Sequence, residues 1–279
     1  SGIVLIDEID LLLHVKALER LIEQLSEIAT QRKLQIVFTT HSLVMRNLID
    51  YVDIRYLFQT KNKTMVFDAI TPDIIYDLTN KSENSLSVYV EDDLAATIVK
   101  SVINELDLAR HTEVKIIGSS ENAFTLAAGL VLQEDPLMHN KLIVLDGDVY
   151  RSDQDKEKQI VNKLSGTEAT HAAKVQTALS MITQLCIPEK TAPEKYIHSM
   201  IIENGLPDDT ANEILRCARQ ITVAKNSHYW LDGIIERMNQ DRNVTLFQII
   251  NYAKTHKKWV DYVENVYRWL RAKKEELDL

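Results

Sequence analysis

The chain has 279 residues, a mass of 32.0 kDa, 45% apolar content and a formal charge of −9, enough for one large or two to three small folded domains. The acidic balance excludes a protein that holds nucleic acid by bulk positive potential alone. Two cysteines, Cys186 and Cys217, each in a helix-like apolar stretch, read as core thiols and exclude a disulfide framework or a thiolate metal site.

In chain order, GIVLI ends in Asp7 and Glu8 and reads as a buried strand, and Leu18, Leu21, Ile22, Leu25 and Ile28 then recur at helical spacing. A second strand, LQIVFTT, ends in His41 and Ser42. Strand, helix and strand without a hairpin signal predict a right-handed crossover and a parallel pair. Residues 55–69 predict two short strands around a polar KNKT turn that close this first unit, and NKSENS, from Asn80 to Ser85, reads as a linker.

Alternation then restarts, with strands predicted at 86–90, 114–117 and 142–145 and helices at 93–106 and 122–133, a second parallel α/β unit. Beyond Arg151 no further strand is predicted. The remainder reads as helical apart from a proline-marked break at CIPEKTAPEKY, and Trp259, Tyr262, Val263, Val266, Tyr267 and Leu270 make a packing stripe near the C-terminus. KTHKK and RWLRAKK, from Arg268 to Lys274, make that end locally basic, with a solvated, salt-bridging helix face as the simpler role for the latter. No apolar run nears roughly 18 residues and SGIVLIDEID is not a secretion signal, so a cytoplasmic protein without a membrane span is expected.

Two acidic signatures stand where apolar strands run out: VYVEDD, with Glu91, Asp92 and Asp93, and VLDGD, with Asp146 and Asp148. Carboxylates at the carboxyl ends of neighbouring parallel strands converge on the crevice where such sheets bind ligands. Three convergent acids repel one another unless a hard cation such as Mg2+ sits among them.

The strand-end pair Asp7 and Glu8 in IDEID, with His41 in TTHS, resembles the Walker B strand and switch-histidine strand of ABC-type ATPases over roughly residues 1–80. By that resemblance Asp7 would hold Mg2+, Glu8 would polarise water and His41 would reach a γ-phosphate; helix capping and a loop histidine are the alternatives. No GxxxxGK[ST] phosphate loop occurs in these residues. The expectation is therefore a C-terminal portion that binds and uses ATP only as part of an intact protein, as a nucleotide-site remnant by itself.

The second pattern, Glu91 followed 55 residues later by Asp146 in DGD, resembles the Toprim domain of topoisomerases, bacterial primases and a nuclease family. ATPase followed by Toprim resembles the overcoming-lysogenization-defect (OLD) family of ATPase-coupled endonucleases. The resemblance implies an α/β fold: a C-terminal βαβ portion of an ABC-type ATPase over residues 1–82, a Toprim-type parallel α/β domain over 83–200 and a helical region over 201–279. It implies Glu91 as metal ligand or general acid/base and Asp146 and Asp148 as metal ligands, with Gly147 suited to a tight strand exit. A further family acid falls at Ala95, a departure for which Asp92 or Asp93 could substitute; Asp93 could equally cap a helix. Glu194, on the segment that also carries Glu189, Lys190 and Lys195, is either another metal ligand or a helix-start acid after Pro193. Lys258 and Lys257 are the candidate catalytic lysines. Ser119 and Ser120 would position phosphate oxygens or cap a helix.

Together these imply a two-ion Mg2+ or Mn2+ endonuclease that nicks or cuts DNA, governed by a fused ATPase, acting in phage defence, and dimeric through the ATPase part. An RNA or transfer-RNA nuclease, or a non-catalytic Toprim nucleic-acid-binding assembly module forming homo-oligomers, are the alternatives. An ATPase with an inert C-terminal domain is the third.

Overall fold

A computed structural model describes residues 2–11, 13–59, 63–68, 86–164, 170–188, 191–205 and 212–279. The expected linker at 80–85, the boundary at 82 and the candidates Glu189 and Lys190 lie outside the described residues.

Strand β1 (Gly2–Ile6), helix α1 (Val15–Arg32) and strand β2 (Leu34–Phe38) form the expected crossover, with β1 and β2 parallel from Gly2 against Leu34 to Ile6 against Phe38. One apolar stripe of α1 is covered: Leu18 and Ile22 pack with Ile9, Met45 and Leu48. Along β1 the side chains of Ile3 and Leu5 stay 68% and 76% exposed. This pair therefore carries a small core of its own.

Strands β3 (Tyr56–Gln59) and β4 (Thr64–Phe67) form an antiparallel hairpin. The sequence expectation that the hairpin closes the first unit is corrected by its packing. Met65 and Phe67, the inward residues of β4, join the core that also holds Tyr89, Phe124 and Ile143. The Asp68 N–H donates to Asn122 Oδ1 at 2.8 Å, and the Asn122 amide in turn donates to the Ile117 carbonyl at 2.7 Å. Asn122 is wholly buried with both ends of its amide used, the condition under which burying it is tolerated.

The second sheet has four parallel strands in the order β6–β5–β7–β8: β5 (Leu86–Val90), β6 (Thr112–Ile116), β7 (Lys141–Leu145) and β8 (Ile182–Gln184). Strand β8 corrects the sequence reading, which ended the strands before Arg151. Three residues, two of them Thr and Gln, are too few to show a period, and pairing with β7 supplies what propensity does not. Alternation sorts the central strands between two cores. Leu86, Val88 and Val90 of β5 and Leu142 and Val144 of β7 face one, while Tyr89, Ile143 and Leu145 face the other. Burial on both faces explains why β5 and β7 read as unbroken apolar runs.

One face is covered by α2 (Asp93–Glu105) together with α6 (Pro193–Asn204), α7 (Glu213–Arg219), α8 (Tyr229–Met238), α9 (Arg242–Ala253) and α10 (Lys258–Leu277); the other by α3 (Ser120–Gln133), α4 (Asp153–Leu164) and α5 (His171–Ser180). The helices beyond residue 201 thus share one core with β5 and β7. Among the described residues no helix is long and apolar enough to cross a membrane. Cys217 is buried on α7 as expected, whereas Cys186 lies in the segment leaving β8, half-buried, and not in a helix.

Gly147 follows β7 at φ +89°, and a Cβ there would stand 2.2 Å from the Leu185 carbonyl oxygen. The left-handed backbone and the backbone contact add, so Gly147→Ala should cost about 3 kcal/mol or more. Urea denaturation checks this, and an unchanged midpoint would contradict it.

Candidate metal centre

Strand order sets the location of the site. The chain leaves β5 toward β6 through α2 and returns across β5 to β7 through α3, so the connections diverge between the carboxyl ends of β5 and β7. That divergence opens the crevice in which open α/β sheets place ligands. Glu91 is the first residue past β5 and Asp146 the first past β7.

The two are joined directly, the Asp146 N–H donating to Glu91 Oε1 at 3.0 Å. The Ser120 N–H, at the start of α3, also donates to the Glu91 carboxylate. Ser119 caps that helix by accepting from the Asn122 N–H, so the serine pair contributes a helix start and one backbone donor. Despite these donors the Glu91 carboxyl is held above its usual range, by burial first and then by Asp148 and Asp92. Asp92 caps α2 by accepting from the Ala95 N–H at 2.8 Å, and its carboxyl is also raised, by burial and then by Asp93 and Glu194.

Asp146 is the centre of this group. Burial first, and then Glu91, Asp92, Asp148 and Glu194 in that order, together push its carboxyl up to about 9. Among the described residues no lysine or arginine pairs with Glu91, Asp92, Asp146 or Asp148. Glu91, Asp92 and Asp148 around Asp146, none of them paired with a described lysine or arginine, make a negative potential in a partly buried setting. Asp148 and Asp92 both act on Glu91, Glu194 acts on Asp92, and all four act on Asp146.

Glu194 reaches the group because Pro193 opens α6 and fixes the first turn, leaving the Glu194 carboxylate only 6% exposed. His228, which the sequence reading did not single out, puts Nδ1 on Glu194 Oε1. Its ring is exposed and stands just before α8.

Other sequence candidates are placed elsewhere. Asp93 was expected as a metal ligand or helix cap; the cap is Asp92, and the Asp93 carboxylate is taken by the Arg242 guanidinium, which also reaches Asp232 at 2.7 Å. Lys258 donates to both oxygens of Glu203 at 2.8 and 2.7 Å, so the candidate catalytic lysine is engaged on α6, and Lys257 is exposed at the start of α10. No sequence signal distinguishes Arg242 or His228, because their partners come from elements far away in the chain.

At the first sheet, Asp7, Glu8 and His41 are all exposed. Thr39 Oγ1 donates to Asp7 Oδ1 and accepts from the Glu8 N–H, and Glu8 adopts φ +49°. His41 lies near Asp10, whose carboxyl is held below its usual range first by the Thr40 hydroxyl.

Among the described residues no three carboxylate, imidazole or thiol side chains already converge as a ready metal-binding set. The donor chemistry nonetheless fits a hard divalent cation: oxygen ligands only, and an Asp146 carboxyl raised by burial and by its acidic neighbours. The fold and this group define the chain as an α/β protein with a carboxylate pocket at the switch point of a parallel sheet.

Comparison with known proteins extends this little. Residues 1–46 match the family described as "AAA domain, putative AbiEii toxin, Type IV TA system". No curated protein matches the chain. Among solved structures, the C-terminal region of the Burkholderia pseudomallei OLD protein is similar at 14% identity and a TM-score of 0.37, covering 68% of this chain and 98% of that one. That likeness is too distant to bear on the chemistry.

Proposed function

We propose that the chain is a divalent-metal-dependent phosphodiesterase, an endonuclease of the OLD type acting on DNA through the Asp146 pocket. The observation that carries this reading is the placement of Glu91 and Asp146 at the carboxyl ends of adjacent parallel strands, the Asp146 N–H donating to Glu91 Oε1 at 3.0 Å. Mg2+ or Mn2+, when bound, would supply Lewis-acid stabilisation of phosphate charge and an activated water. Glu91, Asp146 and Asp148 would hold one ion; Asp146, Asp92 and Glu194 would hold the second. Asp92 and Glu194 thereby stand in for the acid missing at Ala95. Asp92 keeps one carboxylate oxygen on the Ala95 N–H and has the other to offer.

The chain's own groups then have distinct tasks. The Ser120 and Asp146 N–H groups orient Glu91, fixing the carboxylate that would take a proton from attacking water. His228 holds Glu194 in place from the solvent side. Gly147 lets β7 turn sharply enough to present Asp146 and Asp148 on one edge. The match of residues 1–46 to an AAA domain supports a nucleotide-responsive role for the first unit in the intact protein, with Asp7, Glu8 and His41 as its part of the site. Antiviral defence fits an enzyme so coupled.

Incubation with supercoiled plasmid and with structured RNA, each with Mn2+ or chelator, tests the reading. Mn2+-dependent nicking of plasmid is expected. Cleavage of RNA alone would transfer the site to an RNA nuclease, and no cleavage of either, with Mn2+ bound, would leave the assembly-module reading in its place.

A further inference from the structure

Among the described residues, the Tyr262 hydroxyl is a buried polar atom near this group without a hydrogen-bond partner. Its ring is 0% exposed, and its hydroxyl has no hydrogen-bond partner. An unpaired buried hydroxyl costs about 1–3 kcal/mol, and native folds rarely keep one without a use.

Its position is fixed from several directions. The Tyr262 carbonyl accepts from the Cys186 N–H at 2.9 Å, and the neighbouring Leu185 N–H donates to the carbonyl of Leu145, the residue before Asp146. The ring packs edge-on against Tyr196, centroids 5.4 Å apart, two residues beyond Glu194. The charges that bear on its phenol are Asp146, then Glu194, then Asp92. These are the three carboxyls assigned above to the second ion. Asn265, one turn further along α10, cannot serve them, since its amide is spent on the Gln184 carbonyl and the Cys186 sulfur.

We propose that Tyr262 is a positioning residue of the metal centre: its buried O–H, unpaired in this structure, would donate to one inward oxygen of the Asp146 or Glu194 carboxylate when a cation is held, leaving the outward oxygens to face the ion. This rests on the metal reading above and adds to it a donor from a helix that sequence reading treats only as packing. Outer donors of this kind tune metal affinity by roughly 10–100-fold.

Tyr262→Phe removes the hydroxyl and keeps the ring. Isothermal titration of wild type and Tyr262→Phe with Mn2+ alone should show affinity falling at least tenfold in the variant, with Tm in the absence of metal unchanged or higher. Trp259→Phe, on the same helix face, changes packing but leaves the hydroxyl; its Mn2+ affinity should match wild type. Equal Mn2+ affinity in wild type and Tyr262→Phe would overturn the inference while leaving the metal centre standing. An equal loss in Trp259→Phe would also overturn it, by showing that helix packing and not the O–H sets the affinity. Absence of Mn2+ binding in wild type would instead remove the metal centre itself.

Discussion

Asp146→Ala should abolish Mn2+-dependent cleavage, lowering the rate at least about 1000-fold, equivalent to about 4 kcal/mol of lost transition-state stabilisation. The expectation follows from position: Asp146 is the carboxyl common to both proposed ion sites and the one on which Glu91, Asp92, Asp148 and Glu194 all act. Loss of an outlying member should cost less, because the remaining acids still surround a cation. Asp148, exposed at the rim, is the useful comparison, and Asp148→Ala should retain more activity than Asp146→Ala. Urea midpoints of wild type and Asp146→Ala separate loss of chemistry from loss of folding. Cleavage surviving Asp146→Ala would place the chemistry elsewhere.

The second large effect is on stability against pH. In the unfolded chain an aspartate titrates near ~3.9, whereas in the fold Asp146 is pushed up to about 9, with Glu91 and Asp92 raised in the same sense. The folded state therefore binds protons more tightly than the unfolded state over that interval. The stability this confers is complete below about pH 4 and is lost progressively as pH rises toward about 9. Two units of such a shift amount to about 3 kcal/mol. Metal-free protein should accordingly lose Tm between pH 6 and about 9, Asp146→Asn should flatten the profile and be the more stable protein at about pH 8, and Mn2+ should restore wild type but not the variant. A metal-free wild type whose stability is level across that range would show that the pocket carries no such repulsion.

Much of this arrangement was legible because its parts are local. Strands β5 and β7 are buried on both faces and read as continuous apolar runs, so their ends, and hence Glu91 and Asp146, could be located from the chain alone. Pro193 marked the start of α6 and so the place of Glu194. What stayed hidden depends on contacts distant in sequence. Strand β8 exists through its pairing with β7, His228 and Arg242 acquire meaning only where α8 and α9 dock, and Tyr262 reads as one more apolar position in a helical stripe. The sequence offered Asp93 as a helix cap, and the cap is Asp92, a one-residue difference that strand-end spacing does not resolve. The hairpin was misassigned because pairing within β3 and β4 says nothing about which core their buried face will join.

The most direct test is anomalous scattering from crystals soaked in Mn2+. Two peaks roughly 4 Å apart, one against Glu91, Asp146 and Asp148 and the other against Asp146, Asp92 and Glu194, are the predicted result. A soaked crystal with no anomalous density at the carboxyl ends of β5 and β7 would contradict it.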